Sequence, residues 1–341
     1  MKIGINLYSL KKEKSGVEIF AENLLEALFK NKSREEEFLF FGKGTYYWGL
    51  KRVWYEQMIL PRELQRRKID LLLNITCSGP LVWKGKQITV IHDLAYLRFP
   101  EARNIFGKIY FHLMFKLLSR KSCQIITPSN FSKKETHQLL SVPSEKIEVI
   151  PEAVPQEFIE TGVSPRESEE ILNKFGIKTP YIFYIGIRRP RKNIKRLIEA
   201  FQMAKRKFNL KLVLAGEKEG KKEEGIVETG WVSLKEKKAL YQKAEMLVLP
   251  SLYEGFGLPV LEAQSLGTPV LTSNTSSLPE VAGDSVLYVN PYKVEEIAKG
   301  MEKIALDEKL RENLIQKGYE NIKRFSWQKA ARQLLNLIHS L

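Results

Sequence analysis

Short apolar runs of strand length alternate along this chain with amphipathic stretches of helical period, and the alternation goes round twice. In the first half, residues 2–7, 37–41, 70–74, 88–94, 124–128 and 146–150 read as strands. Residues 17–30, 54–68, 104–121 and 130–140 carry the 3.6-residue spacing of helices between them. The second half repeats the plan, with strands predicted at 181–185, 211–215, 246–250, 270–273 and 286–289 and helices at 193–207, 233–243, 258–266 and 294–304. Strands separated by helices predict βαβ units, hence parallel sheets covered on both faces.

Pro151, Pro155, Gly162 and Pro165 cluster between the halves and place a linker near 152–170. The expected division is a first domain over 1–155, a second over 165–325, and a last helix over 326–341 that packs back on the first. Ser326 stands where an N-cap for that helix would be.

Composition adds limits. With 341 residues, 43% hydrophobic and 28% charged, the chain is an ordinary globular protein long enough for two α/β domains. No run approaches the ~20 apolar residues of a membrane span. The start of the chain lacks the apolar core and cleavage site of a leader, so a cytoplasmic location is expected. Cys77 and Cys123 stand far apart and without metal-ligand spacing. The net charge of +15 is spread over both halves, which favours anionic partners without choosing among phosphates, nucleic acid and membrane.

The most informative stretch is Pro250-Ser251-Leu252-Tyr253-Glu254-Gly255-Phe256-Gly257-Leu258-Pro259-Val260-Leu261-Glu262. A strand ends, a glycine-bearing loop follows, and a helix begins with Pro259 in its first turn, where proline is tolerated. Free N–H groups at such a helix start suit an anion or hydroxyl, and Gly255 and Gly257 permit close approach. Glu254 and Glu262, eight positions apart with Gly-Phe-Gly between them and Gly267-Thr268-Pro269-Val270 beyond, resemble the EX7E motif of retaining GT-B glycosyltransferases of family four, the group 1 enzymes, mannosyltransferases among them. Taken alone, two glutamates at this spacing would be a capping carboxylate and a surface helical residue.

The resemblance runs over nearly the whole chain. Tyr184-Ile185-Gly186 followed by Pro190-Arg191-Lys192-Asn193 looks like the family's donor-pyrophosphate loop, with Lys192 matching its phosphate-binding lysine. Cations there would neutralise charge on a leaving diphosphate. Ile187 stands where many members have arginine, so either Arg188 or Arg191 would supply the guanidinium. Gly16, after Ser15, resembles the family's glycine loop. His92-Asp93, with Pro100 beyond, resembles a segment in which the histidine would hydrogen-bond the donor sugar, while Asp93 also reads as a cap for the next turn. Gly230-Trp231-Val232 corresponds to the segment beside the nucleotide base, although Trp231 reads equally well as packing.

The resemblance therefore implies a GT-B fold, two Rossmann-like doubly wound domains, the first (1–155) on the acceptor side and the second (165–325) binding the nucleotide sugar, with the donor in an interdomain cleft. It implies His92, Glu254 and Lys192 as catalytic residues. Gly16, Arg188, Arg191, Val232, Gly255, Phe256, Gly257, Leu258 and Glu262 would join Lys192 in binding the donor. Glu254 would hold the sugar and Glu262 the ribose. The expected reaction is retaining transfer of a hexose, mannose first, from GDP-mannose or another nucleotide diphosphate sugar to a saccharide or lipid-linked acceptor. The four aspartates, Asp70, Asp93, Asp284 and Asp307, form no Asp-x-Asp, so no metal and no cofactor are expected. The alternatives are a nucleotide-sugar 2-epimerase on the same fold and a non-catalytic basic nucleic-acid-binding module. The second would need aromatics interleaved with basic residues or a recognition helix, and neither is seen. Finally, Lys108, His112, Lys116 and Arg120 recur every four residues among bulky apolar side chains in 104–121, a basic amphipathic pattern suited to an anionic membrane surface at the inner face. The competing expectation is that the apolar face packs on the first sheet and leaves the cationic stripe in water.

Overall fold

Runs such as Leu71-Leu72-Leu73 have no polar side to turn toward water, and all three are buried. This computed structural model describes residues 1–8, 16–33, 35–42, 50–99, 105–160, 162–178, 180–220 and 223–341. It divides into two units, Met1–Glu152 with Ser326–Leu341, and Ala153–Phe325.

The first unit holds β1 (Lys2–Asn6), β2 (Glu37–Phe41), β3 (Leu71–Asn74), β4 (Lys86–Val90), β5 (Gln124–Thr127) and β6 (Ile147–Val149), and the second holds β7 (Tyr181–Gly186), β8 (Lys211–Gly216), β9 (Ile226–Gly230), β10 (Met246–Leu249), β11 (Val270–Ser273) and β12 (Leu287–Val289). Every pairing is parallel. The orders are β2-β1-β3-β4-β5-β6 and β12-β11-β10-β7-β8-β9. In each sheet the chain first builds outward on one side of its opening strand, then returns to the other side. The switch points lie between β1 and β3 and between β7 and β10, where the loops at the strands' carboxyl ends part and leave room for a ligand.

The helices of the first unit are α1 (Gly16–Asn31), α2 (Leu50–Trp54), α3 (Leu60–Arg66), α4 (Ala95–Arg98), α5 (Ile105–Lys121) and α6 (Asn130–Leu140). Those of the second are α7 (Gln156–Glu160), α8 (Pro165–Lys174), α9 (Ile194–Ala204), α10 (Leu234–Gln242), α11 (Leu258–Ser265), α12 (Leu278–Ala282), α13 (Val294–Leu306) and α14 (Glu308–Ile322). The last helix, α15 (Trp327–His339), belongs to the first unit, where the Trp327 ring meets Phe20 of α1 edge-on at 5.6 Å and His339 pairs with Glu36. Ser326 occupies the N-cap position of α15, but its hydroxyl bonds the Gln328 side chain instead of the backbone.

Several elements differ from expectation for identifiable reasons. The segment 152–170, expected as a linker, contains α7 and the start of α8. Pro165 opens α8 at its first turn, where its missing N–H costs nothing, behind a capping box made by Ser164 and Glu167. The strand expected at 88–94 runs from Lys86 to Val90. The single helix expected at 54–68 is α2, a π-helical turn over Tyr55–Ile59, and α3. Strand β9 was not expected, because its first three residues are only half-buried at the sheet edge and Glu228 interrupts the apolar run.

Candidate active site

At the switch point of the second unit the loops after β7 and β10 are tied to one another. Leu252 N–H donates to Arg191 O at 2.7 Å, and the Asn193 side-chain amide donates to Pro250 O at 2.9 Å and Pro291 O at 2.7 Å. Asn193 adopts a left-handed conformation (φ 59°), which asparagine tolerates, and caps the start of α9 with its backbone so turned. This bend brings Lys192 and Arg191 to Glu254. Lys192 Nζ lies 2.6 Å from Glu254 Oε1, Arg191 Nη1 3.0 Å from Oε2, and Ser251 Oγ donates to Oε1 at 2.7 Å. Lys192 and Glu254 are both buried. Burial alone would raise the Glu254 carboxyl, but the charges of Lys192 and then Arg191, with the hydrogen bonds from Lys192 and Ser251, hold it down at about 2. It is a carboxylate at any working pH.

The loop bearing Glu254 is fixed from the far side. Glu254 N–H donates to Ser276 Oγ at 3.1 Å, and Ser277 Oγ donates to Glu254 O and Phe256 O at 2.9 and 2.7 Å. Gly257 then caps α11 at φ 110°, where a Cβ would stand 2.8 Å from Leu278 Cδ2. Only glycine fits there without strain. Phe256 and Leu258 are buried, the former edge-on to Phe325, so around this helix start the chain presents backbone more than side chains. A helix N-terminus beside a lysine and an arginine is a setting for anionic oxygen.

The structure separates the other expected donor residues. Glu262, on the first turns of α11, is buried with its carboxylate on Lys237, and Tyr241 donates to its Oε2 at 3.0 Å. It makes a second cluster, against α10, apart from the one around Glu254. Arg188, open beforehand as an alternative to Arg191, turns away. Its Nε donates to Glu217 O at 3.0 Å and its Nη groups pair with Glu219 and Glu228. It lines a cavity of about 600 Å³ with Arg189, Asn193, Arg196, Glu199 and Glu219, on the β8–β9 loop side. Arg191 is the arginine gathered at Glu254. Trp231 is 72% exposed and so does no packing in the core, and Val232 beside it is half-buried.

In the first unit, His92 follows β4. Its Nε2 lies 3.0 Å from Ile75 O, and since a carbonyl only accepts, that nitrogen carries the proton. Its Nδ1 faces the buried Glu152 at 3.8 Å, and Phe20 meets its ring edge-on. Asp93 Oδ1 accepts from Ala95 N–H at 3.0 Å and so serves the turn into α4. Gly16 opens α1 exposed, and a Cβ there would meet nothing, so no steric demand for glycine arises at that position. Ser15 and Pro100 lie outside the described residues.

Sequence reasoning passed over Ser276, Ser277, Lys237 and Tyr241, and it quoted Ser251 and Tyr184 within the motif strings without giving either a role. The Tyr184 hydroxyl is buried under the β7 loop without a hydrogen-bond partner among the described residues. Burial raises its pKa, with the Glu254 charge adding to the effect. Serines and lysines of this kind carry no spacing signal, because only the fold sets them against the glutamates. Among the described residues no group of three His, Cys, Asp or Glu side chains could hold a metal ion.

Two doubly wound parallel sheets, with a cationic switch-point site in the second, define a GT-B glycosyltransferase architecture. The solved structures agree. The Anabaena HepE protein in complex with UDP and glucose superposes with a TM-score of 0.76 at 17% identity over 100% of both chains. WaaG, a glycosyltransferase involved in lipopolysaccharide biosynthesis, gives 0.76 at 14% identity over 98% of this chain and 99% of that one. The sequence profile of glycosyltransferase family 4 matches residues 15–158 and that of the group 1 glycosyl transferases matches 167–321. The O-antigen chain mannosyltransferase B of Escherichia coli is 32% identical over 74% of this chain and 69% of its own length. The serotype-specific mannosyltransferase WbdA of Escherichia coli is 30% identical over 72% of this chain, but only 32% of its own length is matched. The chain belongs to the group 1, mannosyltransferase-like glycosyltransferases of family 4.

Proposed function

We propose that this chain transfers mannose from a nucleotide diphosphate donor, GDP-mannose first, to a saccharide or lipid-linked acceptor, with retention and without a metal. The observation that carries the reading is the Lys192–Glu254–Arg191 cluster beside the start of α11. It is supported by the mannosyltransferase names of the relatives. The bond between the anomeric carbon and the β-phosphate oxygen breaks, and the pair of electrons goes to the phosphate. Lys192, Arg191 and the helix start stabilise that growing charge. The acceptor hydroxyl attacks from the face the phosphate leaves, and its proton passes to the departing diphosphate. Glu254 then serves the sugar side and orients the two cations, and Glu262 the ribose. His92, held by Ile75 O through Nε2 and facing Glu152 through Nδ1, would lie at the donor sugar.

Hydrolysis of a panel of nucleotide sugars tests this without knowledge of the acceptor. GDP-mannose is expected to turn over fastest, with α-mannose released first and EDTA without effect. Preference for a UDP-sugar would overturn the donor assignment, dependence on Mn²⁺ or Mg²⁺ the metal-free route, and no turnover of any donor the reading as a whole.

The same reading includes reversible residence on an anionic membrane surface through α5. No helix of the described residues is long and apolar enough to cross a membrane. On α5 the expected arrangement is partly reversed. Phe115 and Leu118 are buried, but Ile109, Leu113 and Leu117 are 60%, 52% and 38% exposed. The described part of the cationic stripe, His112, Lys116 and Arg120, runs one residue behind this apolar line. The Lys108 side chain lies outside the described residues.

A further inference from the structure

The switch point of the first unit, between β1 and β3, carries a polar cluster of its own, and none of its residues belongs to the donor machinery. The π-helical turn Tyr55–Ile59, closed by Leu60 N–H on Tyr55 O, widens the helix by one residue. Such turns recur at functional sites. Here the turn buries Glu56 while Gln57 grips the loop after β3, donating to Gly79 O at 3.0 Å and accepting from Leu81 N–H at 2.9 Å. Gly79 packs so closely over Asn74 that a Cβ would stand 2.5 Å from Asn74 Oδ1. The loop is tied to β1 by Asn6, whose side-chain amide donates to Ser78 O at 3.4 Å and to Asn74 Oδ1 at 3.0 Å.

Within this frame Glu56 Oε1 accepts from Ser78 Oγ at 2.6 Å and from Arg52 Nε at 3.1 Å. The Glu56 side chain is 4% exposed, yet its Oε2 has no partner among the described residues. The two Nη groups of Arg52, a quarter exposed, have none either. A carboxylate oxygen that no protein group holds is a free acceptor, and a guanidinium edge beside it offers donors in a plane. A pair of adjacent hydroxyls on a sugar ring answers both needs, one donating to Glu56 Oε2 and the other accepting from Arg52. A phosphate would meet repulsion from Glu56, and an apolar group would satisfy neither.

We propose that Arg52, Glu56 and Ser78 form the acceptor-sugar subsite, reading two adjacent hydroxyls of a mannoside. Arg52 and Glu56 touch the sugar, and Ser78 positions Glu56. This rests on the mannosyl-transfer reading above, and the test keeps the two apart. With GDP-mannose as donor and methyl α-mannoside below saturation as acceptor, the full chain partitions mannose between the new glycoside and free mannose. Glu56→Gln and Arg52→Lys are expected to lower the ratio of glycoside to free mannose by about tenfold, the effect of one lost charged hydrogen bond. Ser78→Ala should lower it less. The acceptor KM should rise and the donor KM hold. A ratio equal to the parent's in both variants, a parallel fall of transfer and hydrolysis, or a parent that hydrolyses the donor but gives no glycoside would each overturn the subsite. If the parent turns over no donor, the donor reading fails, and calorimetric titration with methyl α-mannoside then decides the subsite: binding weakened about tenfold in Glu56→Gln supports it, and binding equal to the parent's overturns it. A thermal transition shared with the parent confirms that each variant is folded.

Discussion

Lys192 and Glu254 hold one another as a buried pair, and this changes how each substitution reads. Lys192→Ala removes a cation from the departing diphosphate and should lower kcat by about 10²-fold, the scale for a lost electrostatic stabiliser. Initial rates on saturating donor check it, and turnover within a few-fold of the parent would take Lys192 out of the mechanism. Glu254→Gln leaves two cations facing an amide in a buried site. It should destabilise the donor-free protein by about 3–5 kcal/mol, while GDP, whose phosphates can take the carboxylate's place, restores more thermal stability to the variant than to the parent. Equal shifts in Tm on adding GDP would refute that reciprocity. The pH dependence follows from the lowered carboxyl. With a folded pKa of about 2 against an ordinary value of 4.5, Glu254 contributes its full stabilisation above roughly pH 4.5 and loses it as pH falls toward 2. The stability gap between parent and Glu254→Gln should therefore narrow from pH 6 to pH 3 in urea titrations.

Among the elements, the bend between β7 and α9 bears the most weight. Asn193 supplies both a left-handed residue and two hydrogen bonds to buried carbonyls, so Asn193→Ala brings backbone strain and leaves two acceptors unmet. A loss of about 2–4 kcal/mol is expected, with Asn193→Gly recovering only the strain. Chemical denaturation of the three proteins would show the order, and an alanine variant as stable as the glycine one would disprove the conformational part. Strands and helices around this bend were legible in the sequence because parallel strands buried on both faces are continuous apolar runs, as in Met246–Leu249. Two kinds of element were not. The edge strand β9 is half-buried and lacks that run, and α7 and α8 sit among prolines that read as breakers although Pro165 begins a helix. At the site, the family resemblance carried by the strings around Glu254 and Lys192 pointed to both residues. The choice of Arg191 over Arg188 had no sequence signal, since both arginines lie in one loop and only the carboxylates of the β8–β9 segment, brought alongside by the sheet, draw Arg188 off.

For the whole molecule, the proposed membrane contact rests on a charge of +15 and an exposed apolar line on α5. Flotation with vesicles should show binding that requires anionic lipid and falls with salt as screening grows. Lys116→Gln with Arg120→Gln should weaken it, and so should Leu113→Ser with Leu117→Ser, through the loss of buried apolar area in the interface. Binding that ignores the leucine pair would reduce the contact to charge alone, and no binding at low salt would reject it. The leucine contribution could not be read beforehand, because a βαβ helix is expected to bury its apolar face and the periodicity does not say how much of that face the sheet covers.

By itself the sequence determined the parallel strands apart from the edge strand β9, most of the helices that cover them, and, through the family resemblance, the two segments around Lys192 and Glu254 from which the Lys192–Glu254–Arg191 cluster is built. Periodicity and loop chemistry are local, and local forces suffice to write them into the chain. The tertiary structure alone decided that Glu254 is clasped by Lys192 and Arg191 while Glu262 faces Lys237 and Tyr241, that Arg188 is spent on the β8–β9 segment, and that Arg52, Glu56 and Ser78 meet at the first switch point. Those contacts join residues as much as 63 positions apart. Which charges meet across such distances follows from strand order and from the direction each loop takes, and neither is encoded in the spacing of residues along the chain.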